Sequence, residues 1–241
     1  MESPGKVYLI PSVLSEEGIA AIPLSVPLAI KDCQVFFVEN ERTARRYLKQ
    51  LWKAFLPGQD IVIDNYEWHI IPETPENPAV FLQRLKEGKN IGIISEAGCP
   101  GIADPGQSLV AAAQQRGIEI RPLTGPNSII LALMASGMNG QQFQFVGYLP
   151  IASHEKIKRI RELEAESKKK NCTKVFIETP YRNNQMMETL LANCNPSTRL
   201  CVAVDLTGKS EQIKTQTIAA WKNEKPDIHK RPAIFLLLAA H

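Results

Sequence analysis

The residues best suited to chemistry in this 241-residue chain form one block, Ile94-Ser95-Glu96-Ala97-Gly98-Cys99-Pro100-Gly101-Ile102-Ala103-Asp104-Pro105-Gly106. Three glycines and two prolines stand here directly after a short apolar run and before a helix-like stretch. Small residues at the carboxyl end of a strand let main-chain N–H and C=O groups approach a ligand, and Glu96 would add negative charge for a cationic one. The same composition also suits a plain strand-to-helix connection. Cys99 has no histidine near it in sequence, so it reads as a small filler residue rather than a nucleophile.

Three further constellations follow strands. Leu123-Thr124-Gly125-Pro126-Asn127-Ser128 opens a helix whose N-terminal N–H groups can meet a carboxylate, or else serves as a domain-joining cap. Glu178-Thr179-Pro180-Tyr181-Arg182 sets a carboxylate, an aromatic ring and a guanidinium at a strand end, a pattern shared with ordinary helix entries. In Val38-Glu39-Asn40-Glu41-Arg42, Glu39 and Arg42 can face a cleft while Glu41 caps a helix in solvent. Lys168-Lys169-Lys170 reads as a solvated helix end, where cations complement the dipole, ahead of a phosphate-steering patch.

Several chemistries are excluded. No two glycines are separated by a single residue, so G-x-G-x-x-G is absent, and neither a P-loop nor a G-x-S-x-G elbow occurs. The four histidines (His69, His154, His229, His241) are far apart, and no metal cluster is expected. Five cysteines, at 33, 99, 172, 194 and 201, are an odd number without C-x-x-C spacing, which fits reduced thiols in a cytoplasmic protein. Hydrophobic residues at 44% and charged residues at 22% fit a folded soluble protein rather than a fibre or a disordered chain. No apolar run is long enough for a membrane span, and Met1–Gly5 carries neither a basic n-region nor an apolar h-region. The net charge of +3 divides as 12 − 15 = −3 for residues 1–150 and 16 − 10 = +6 for residues 151–241, so the second half is the expected anion-facing surface.

The elements that must position these residues alternate. Val7–Ile10, Gln34–Val38, Ile61–Ile63 and Asn90–Ser95 read as strands separated by amphipathic stretches, which argues for α/β with a largely parallel first sheet. A helix from Glu41 to Phe55 places Ala44, Leu48, Leu51 and Phe55 on one face, with Arg42, Arg45, Arg46 and Lys49 around them. Asp104 reads as an N-cap with Pro105 at N1 and Gln107 at N3, for a helix closed by Gly117 and followed by a strand Ile118–Pro122. After a helix Asn127–Ser136, the second half reads as strand Phe143–Leu149, helix His154–Lys170, strand Lys174–Glu178, a helix after Pro180 and strand Arg199–Asp205. Gln212–Ile218 and Pro232–Ala239 look like a final antiparallel pair, and two domains are expected, 1–123 and 124–241.

Taken together, these blocks resemble the tetrapyrrole methylase superfamily, most closely its branch of small-subunit ribosomal RNA ribose 2′-O-methyltransferases. That branch reads S-D-A-G-T-P-x-I-S-D-P-G where this chain has Ser95 to Gly106. The likeness continues in the Leu-x-Gly-Pro turn at 123–126, Ser136-Gly137, the strand Phe145-Val146-Gly147-Tyr148-Leu149-Pro150, Glu178–Arg182, Leu206-Thr207 and an E-D-T-R-like block at Glu39–Arg42. Departures are Glu96 for the family's aspartate, Asn40 and Glu41 in the second block, and a first loop, Ile10–Gly18, with neither Gly nor Asn at the places where T-P-I-G-N has them.

The resemblance implies two α/β domains with S-adenosylmethionine in the cleft between them, held mostly by main chain. It carries cofactor contacts onto Glu96, Ala97, Gly98, Cys99, Ile102, Asn127, Ser128, Pro180, Tyr181, Val204 and Pro232. Glu39, then Glu178, then Glu96 are candidate bases for a ribose hydroxyl, and Arg42 and Arg182 candidate phosphate contacts. The N-terminal domain would hold the acceptor side and part of the cofactor site, and the C-terminal domain the rest of the cofactor site and the basic face. Implied partners are ribosomal RNA or the small ribosomal subunit and a second copy in a homodimer, with no membrane. With no residues beyond His241, the acceptor would be held by these two domains or a second subunit. The alternatives are a methylase of a small tetrapyrrole or other small acceptor, and a cofactor-binding module without activity.

Overall fold

The computed structural model describes residues 3–71 and 78–240. The chain divides into two compact units, 1–127 and 128–241. The first runs β1 (Val7–Ile10), α1 (Ser25–Ile30), β2 (Val35–Val38), α2 (Glu41–Phe55), β3 (Glu67–Ile70), α3 (Ala79–Lys86), β4 (Ile91–Ile94), α4 (Gln107–Gln114) and β5 (Ile120–Pro122). Its five strands lie in the order β3-β2-β4-β1-β5, every pair parallel.

Near-continuous apolar runs in β1, β2 and β4 follow from burial of both sheet faces. On one face Tyr8, Ile10, Phe36, Val38 and Ile94 pack with Val26 and Ile30 of α1 and Ala44, Leu48 and Leu51 of α2. On the other, Val7, Val35, Phe37, Ile91 and Ile93 pack with Phe81 and Leu85 of α3 and Leu109 and Ala113 of α4. The helix α2 spans the expected residues and adds buried Tyr47 and Trp52 to its apolar face. Its N-cap is Asn40, whose side chain accepts hydrogen bonds from the N–H groups of Arg42 and Thr43.

One expected strand is displaced. Ile61–Ile63 is not extended; Ile63 begins a 3-10 turn and its side chain is buried beside α2. The turn-forming residues Asp60, Asp64 and Asn65 around this short apolar run explain the difference. The true strand is β3, an edge strand of mixed character that needs no apolar pattern, and its Glu67 pairs with Arg84 at 2.7 Å and Lys89 at 3.2 Å.

The second unit runs α5 (Ser128–Ser136), β6 (Phe143–Tyr148), α6 (Ser153–Lys170), β7 (Thr173–Ile177), α7 (Asn183–Asn193), β8 (Arg199–Val204), β9 (Gln212–Thr217), α8 (Ile218–Trp221) and β10 (Ala233–Leu238). Its sheet order is β6-β7-β10-β8-β9, with β6 parallel to β7 and all other pairs antiparallel. The expected pairing of the last two strands is therefore corrected: β8 separates β9 from β10, and each pairs with β8. The fully apolar Ala-Ile-Phe-Leu-Leu-Leu of β10 suits a central strand, whereas β9, with Gln212, Lys214 and Gln216, suits an edge. Phe176, Val202, Phe235 and Leu237 form the core with Ile160 and Leu163 of α6 and Met186 and Leu190 of α7.

Candidate functional site

The carboxyl ends of β1, β4 and β2 bring together the loops of the first unit, the usual ligand edge of an open parallel sheet. Ser12 and Gly98 exchange two main-chain hydrogen bonds, Ser12 N–H to Gly98 O at 2.7 Å and Gly98 N–H to Ser12 O at 3.2 Å. Gly98 adopts φ +75° there, and a Cβ on it would lie 3.2 Å from Leu14 Cδ2, so glycine answers both the turn and the close approach. Cys99 is half-buried, with its Sγ 3.5 Å from the Pro126 carbonyl oxygen, which joins the third loop to the other two. Gly125 packs against Pro11 so closely that a Cβ would sit 2.2 Å from Pro11 Cβ. Ala97, Gly98, Cys99 and Asn127 thus form one main-chain-rich corner, and Ile102, in the same loop, is 47% exposed.

Carboxylates converge on this corner. Glu96 N–H donates to Glu39 Oε1 at 2.9 Å, and the Thr43 hydroxyl donates to Glu96 Oε1. Glu39 Oε2 has no hydrogen-bond partner among the described residues. Asp104 is not the expected N-cap: α4 starts at Gln107 with Gly106 as its cap residue, and Asp104 turns inward instead. The turn is made by Gly101 at φ +80° and Ala103 at φ +63°. Burial, together with the neighbouring Glu39 carboxylate, pushes the Asp104 carboxyl up to about 6, and its Oδ2 is buried without a partner. Asp104 is the site residue that sequence reasoning misplaced, because Asp-Pro before a helical run is also the signature of a cap.

Next to the corner lies a cavity of about 320 Å³, lined by Ser12, Leu14, Glu16, Arg46, Gln50 and Glu96 among others. The altered first loop forms one of its walls. Tyr47 closes its floor, donating a hydrogen bond to the Pro11 carbonyl at 2.5 Å. Arg42 does not reach the corner; it lies on the outer groove of α2 with Glu41, Arg45 and Lys49.

A second set of residues belongs to the other unit. Glu178 is buried, its side chain 1% exposed, and accepts from Arg182 at 2.6 and 2.9 Å and from Thr179 N–H at 2.8 Å, with Lys156 Nζ 3.4 Å away. Burial alone would raise this carboxyl, but Arg182, the Thr179 N–H and Lys156 outweigh it and hold it below the usual carboxylate range. A base must reach its acceptor and bind a proton readily, so Glu178, 1% exposed and held ionised by its partners, does not fit that role and instead fixes Arg182. Pro180 and Tyr181 lie in the 3-10 turn Pro180–Arg182, where the Pro180 carbonyl accepts from Lys230 N–H and Tyr181, 70% exposed, meets the His229 ring at 6.3 Å. The Pro232 carbonyl accepts from Asp205 N–H at 3.0 Å, next to buried Val204. Ser128 is the first residue of α5.

Local strain marks the same loops. Of the five non-glycine residues with positive φ among those described, Ala103, Asp205, Thr207 and Lys230 lie in them. No group of three His, Cys, Asp or Glu side chains with metal-binding geometry occurs among the described residues, and no helix there is long and apolar enough to cross a membrane.

Comparison with known proteins gives concordant results. Among curated sequences the chain is 32% identical over 160 residues to the ribosomal RNA small subunit methyltransferase I of Escherichia coli O157:H7, covering 65% of this chain and 54% of that protein. It is 40% identical over 111 residues to the protein of the same name from Halalkalibacterium halodurans, covering 46% and 37%. The matches thus span about half or less of those relatives' own length. Among solved structures, diphthine synthase matches with a TM-score of 0.65 at 12% identity, covering 97% of this chain and 89% of that one. The methyltransferase CobJ matches with 0.63 at 18%, covering 98% and 95%. At such identities these two establish the fold alone. The family model for Tetrapyrrole (Corrin/Porphyrin) Methylases matches residues 20–221, and the chain belongs to that family.

Proposed function

We propose that the chain transfers a methyl group from S-adenosylmethionine to a ribose 2′-oxygen of small-subunit ribosomal RNA. The observation that carries this reading is the corner of Glu39, Glu96 and Asp104 beside the main chain of Ala97–Cys99, a place for a cationic ligand held by backbone. The unpartnered buried Oδ2 of Asp104 is the sign of fit, since a positive ligand would supply the charge and favour its ionised form. Relatives at 32–40% identity bear the ribosomal RNA methyltransferase name, which supports RNA over a small tetrapyrrole as acceptor.

Ala97, Gly98, Cys99, Asn127 and Ser128 would hold the cofactor from the first unit and the start of α5, and Pro180, Tyr181, Val204 and Pro232 from the second. When bound, S-adenosylmethionine would supply an electrophilic methyl carbon and a thioether leaving group. The chain's own task is orientation and proton removal. Glu39 is the base in this reading: Glu96 N–H fixes one oxygen, and the free Oε2 accepts the hydroxyl proton as the new O–C bond forms. Arg182, clamped by Glu178, and Arg42 contact acceptor phosphates. The first unit would hold the acceptor side and part of the cofactor site, and the second the remaining cofactor contacts and a basic face. A cytoplasmic homodimer completes the proposal, in keeping with an RNA substrate and five free cysteines.

The test is incubation with labelled S-adenosylmethionine and small ribosomal subunits from cells lacking this protein, followed by mapping of the labelled nucleotide. Incorporation at one ribose is expected. Cofactor binding without any incorporation would overturn the RNA assignment.

A further inference from the structure

Net charge directs attention to the second half of the chain, at 16 − 10 = +6, and away from the first, at 12 − 15 = −3. Arrangement points the other way. On α2, Arg42, Arg46, Lys49 and Lys53 succeed one another at intervals of four, three and four residues. At 3.6 residues per turn these positions fall within an arc of about 60°, and Ala44, Leu48, Leu51 and Phe55 fall on the opposite side. All four cations are exposed, and none has an ion-pair or hydrogen-bond partner to its side chain among the described residues. Arg45, on the flank, is the contrast: it is tied to Glu41 and Asp64 at 2.8 Å each and lies over the Trp68 ring. A solvated helix face of mixed sign would show the Arg45 pattern throughout; this line of cations is left unneutralised.

The stripe is continuous with the candidate site. Arg46 lines the 320 Å³ cavity and also the outer groove shared by Arg42 and Lys49, and Lys49 and Lys53 border the groove beyond it. At a rise of 1.5 Å per residue, the cations span about 16.5 Å in steps of about 6, 4.5 and 6 Å. A collinear, regularly spaced row suits a backbone bearing one charge per repeat. No large apolar residue of α2 is exposed, so the row lacks the anchors a protein partner would use.

We propose that the α2 stripe is the track for the phosphate backbone of a single-stranded segment of the RNA acceptor, leading past Arg46 into the cavity walled by Ser12–Glu16. This rests on the reading of the chain as an RNA methyltransferase, and it places backbone contact on the unit whose net charge is negative. The sequence-independent part of RNA affinity then comes from counterion release at α2.

The test measures binding of a fluorescein-labelled single-stranded oligoribonucleotide of mixed sequence across a salt series, for the wild type, Lys49→Gln/Lys53→Gln, and Lys168→Gln/Lys169→Gln/Lys170→Gln on α6. With a salt exponent of about 0.7 per neutralised phosphate, losing two contacts lowers the slope by about 1.4 and weakens binding about 14-fold at 0.15 M salt. The α6 variant should bind as the wild type does. An unchanged slope in the α2 variant, the loss appearing in the α6 variant instead, or displacement of the RNA by polyglutamate at equal affinity would overturn the proposal. Methyl transfer to subunits, measured in parallel, separates the two readings. Labelling by the wild type with α2-independent RNA binding refutes the stripe alone. Stripe-dependent RNA binding without labelling refutes the methyl-transfer reading and leaves the stripe standing.

Discussion

Replacing Glu178 by glutamine tests whether this carboxylate is a clamp rather than a base. Its side chain is 1% exposed and that of Lys156 is 3% exposed, so solvent screens their interaction little. At 3.4 Å and an effective dielectric constant of about 20, the pair attracts by about 5 kcal/mol. Glutamine keeps the shape but leaves the Lys156 ammonium buried without a counter-charge, which costs about 3–5 kcal/mol. Against a total stability of about 5–15 kcal/mol, that is a large fraction. With a urea dependence of about 2 kcal/mol/M, the midpoint of the second unit should fall by about 2 M. Hydrogen exchange of peptides from β7, β8 and β10 during urea titration isolates that unit from the first. Lys156→Met/Glu178→Gln removes both charges and should recover most of the loss, since a buried pair replaced by neutral groups is close to neutral in stability. The carboxyl is held below its unfolded value, so its contribution is present above the ordinary carboxylate range and lost as pH falls through the folded value. Glu178→Gln should abolish that acid-limb loss. Single substitutions whose costs add within about 0.5 kcal/mol would show the pair to be uncoupled and refute the reasoning.

Two other perturbations reach the first unit. Asp104 is raised from 3.8 to about 6, so its contribution is full at low pH and declines as pH rises through about 6; Asp104→Asn should flatten the thermal midpoint between pH 4 and 7, and an undiminished decline in the variant would exclude Asp104 as its source. Gly125→Ala forces a Cβ to 2.2 Å from Pro11 Cβ, and the overpacking should cost about 1–3 kcal/mol in urea unfolding while weakening cofactor binding by calorimetry; unchanged values for both would mean the turn yields freely.

Much of the fold is legible in the chain because burial writes itself into composition. Val35–Val38 and Ile91–Ile94 are apolar throughout since helices cover both sheet faces, and α2 declares its limits through Asn40 and its apolar stripe. Edge strands escape this logic, which is why Glu67–Ile70 went unread while the turn at Ile63 looked extended. Pairing partners are likewise invisible to periodicity, so the insertion of β10 beside β8 could not be foreseen. At the site, the loop 95–106 announces itself by its small residues, but contacts made across long separations do not. Glu39 meets Glu96 across 57 positions and Lys156 meets Glu178 across 22, distances at which no local pattern operates. Asp104 failed for a different reason: two structural roles share one short motif, and only burial decides between them. The cations of α2 were individually plain, yet a summed charge of −3 concealed their alignment.

The place of β10 in the second sheet has a temporal consequence. Ala233–Leu238 lies between β7 and β8, pairing with both, although it follows β8 by almost thirty residues. During synthesis the first unit, whose strands all precede residue 123, can close while the ribosome is still translating the second. The second cannot: until its last strand emerges, β7 and β8 expose unpaired edges toward a gap of one strand's width. A nascent chain paused before Ala233 would therefore carry one finished unit and one open sheet, with its adhesive edges waiting for six residues yet to be made.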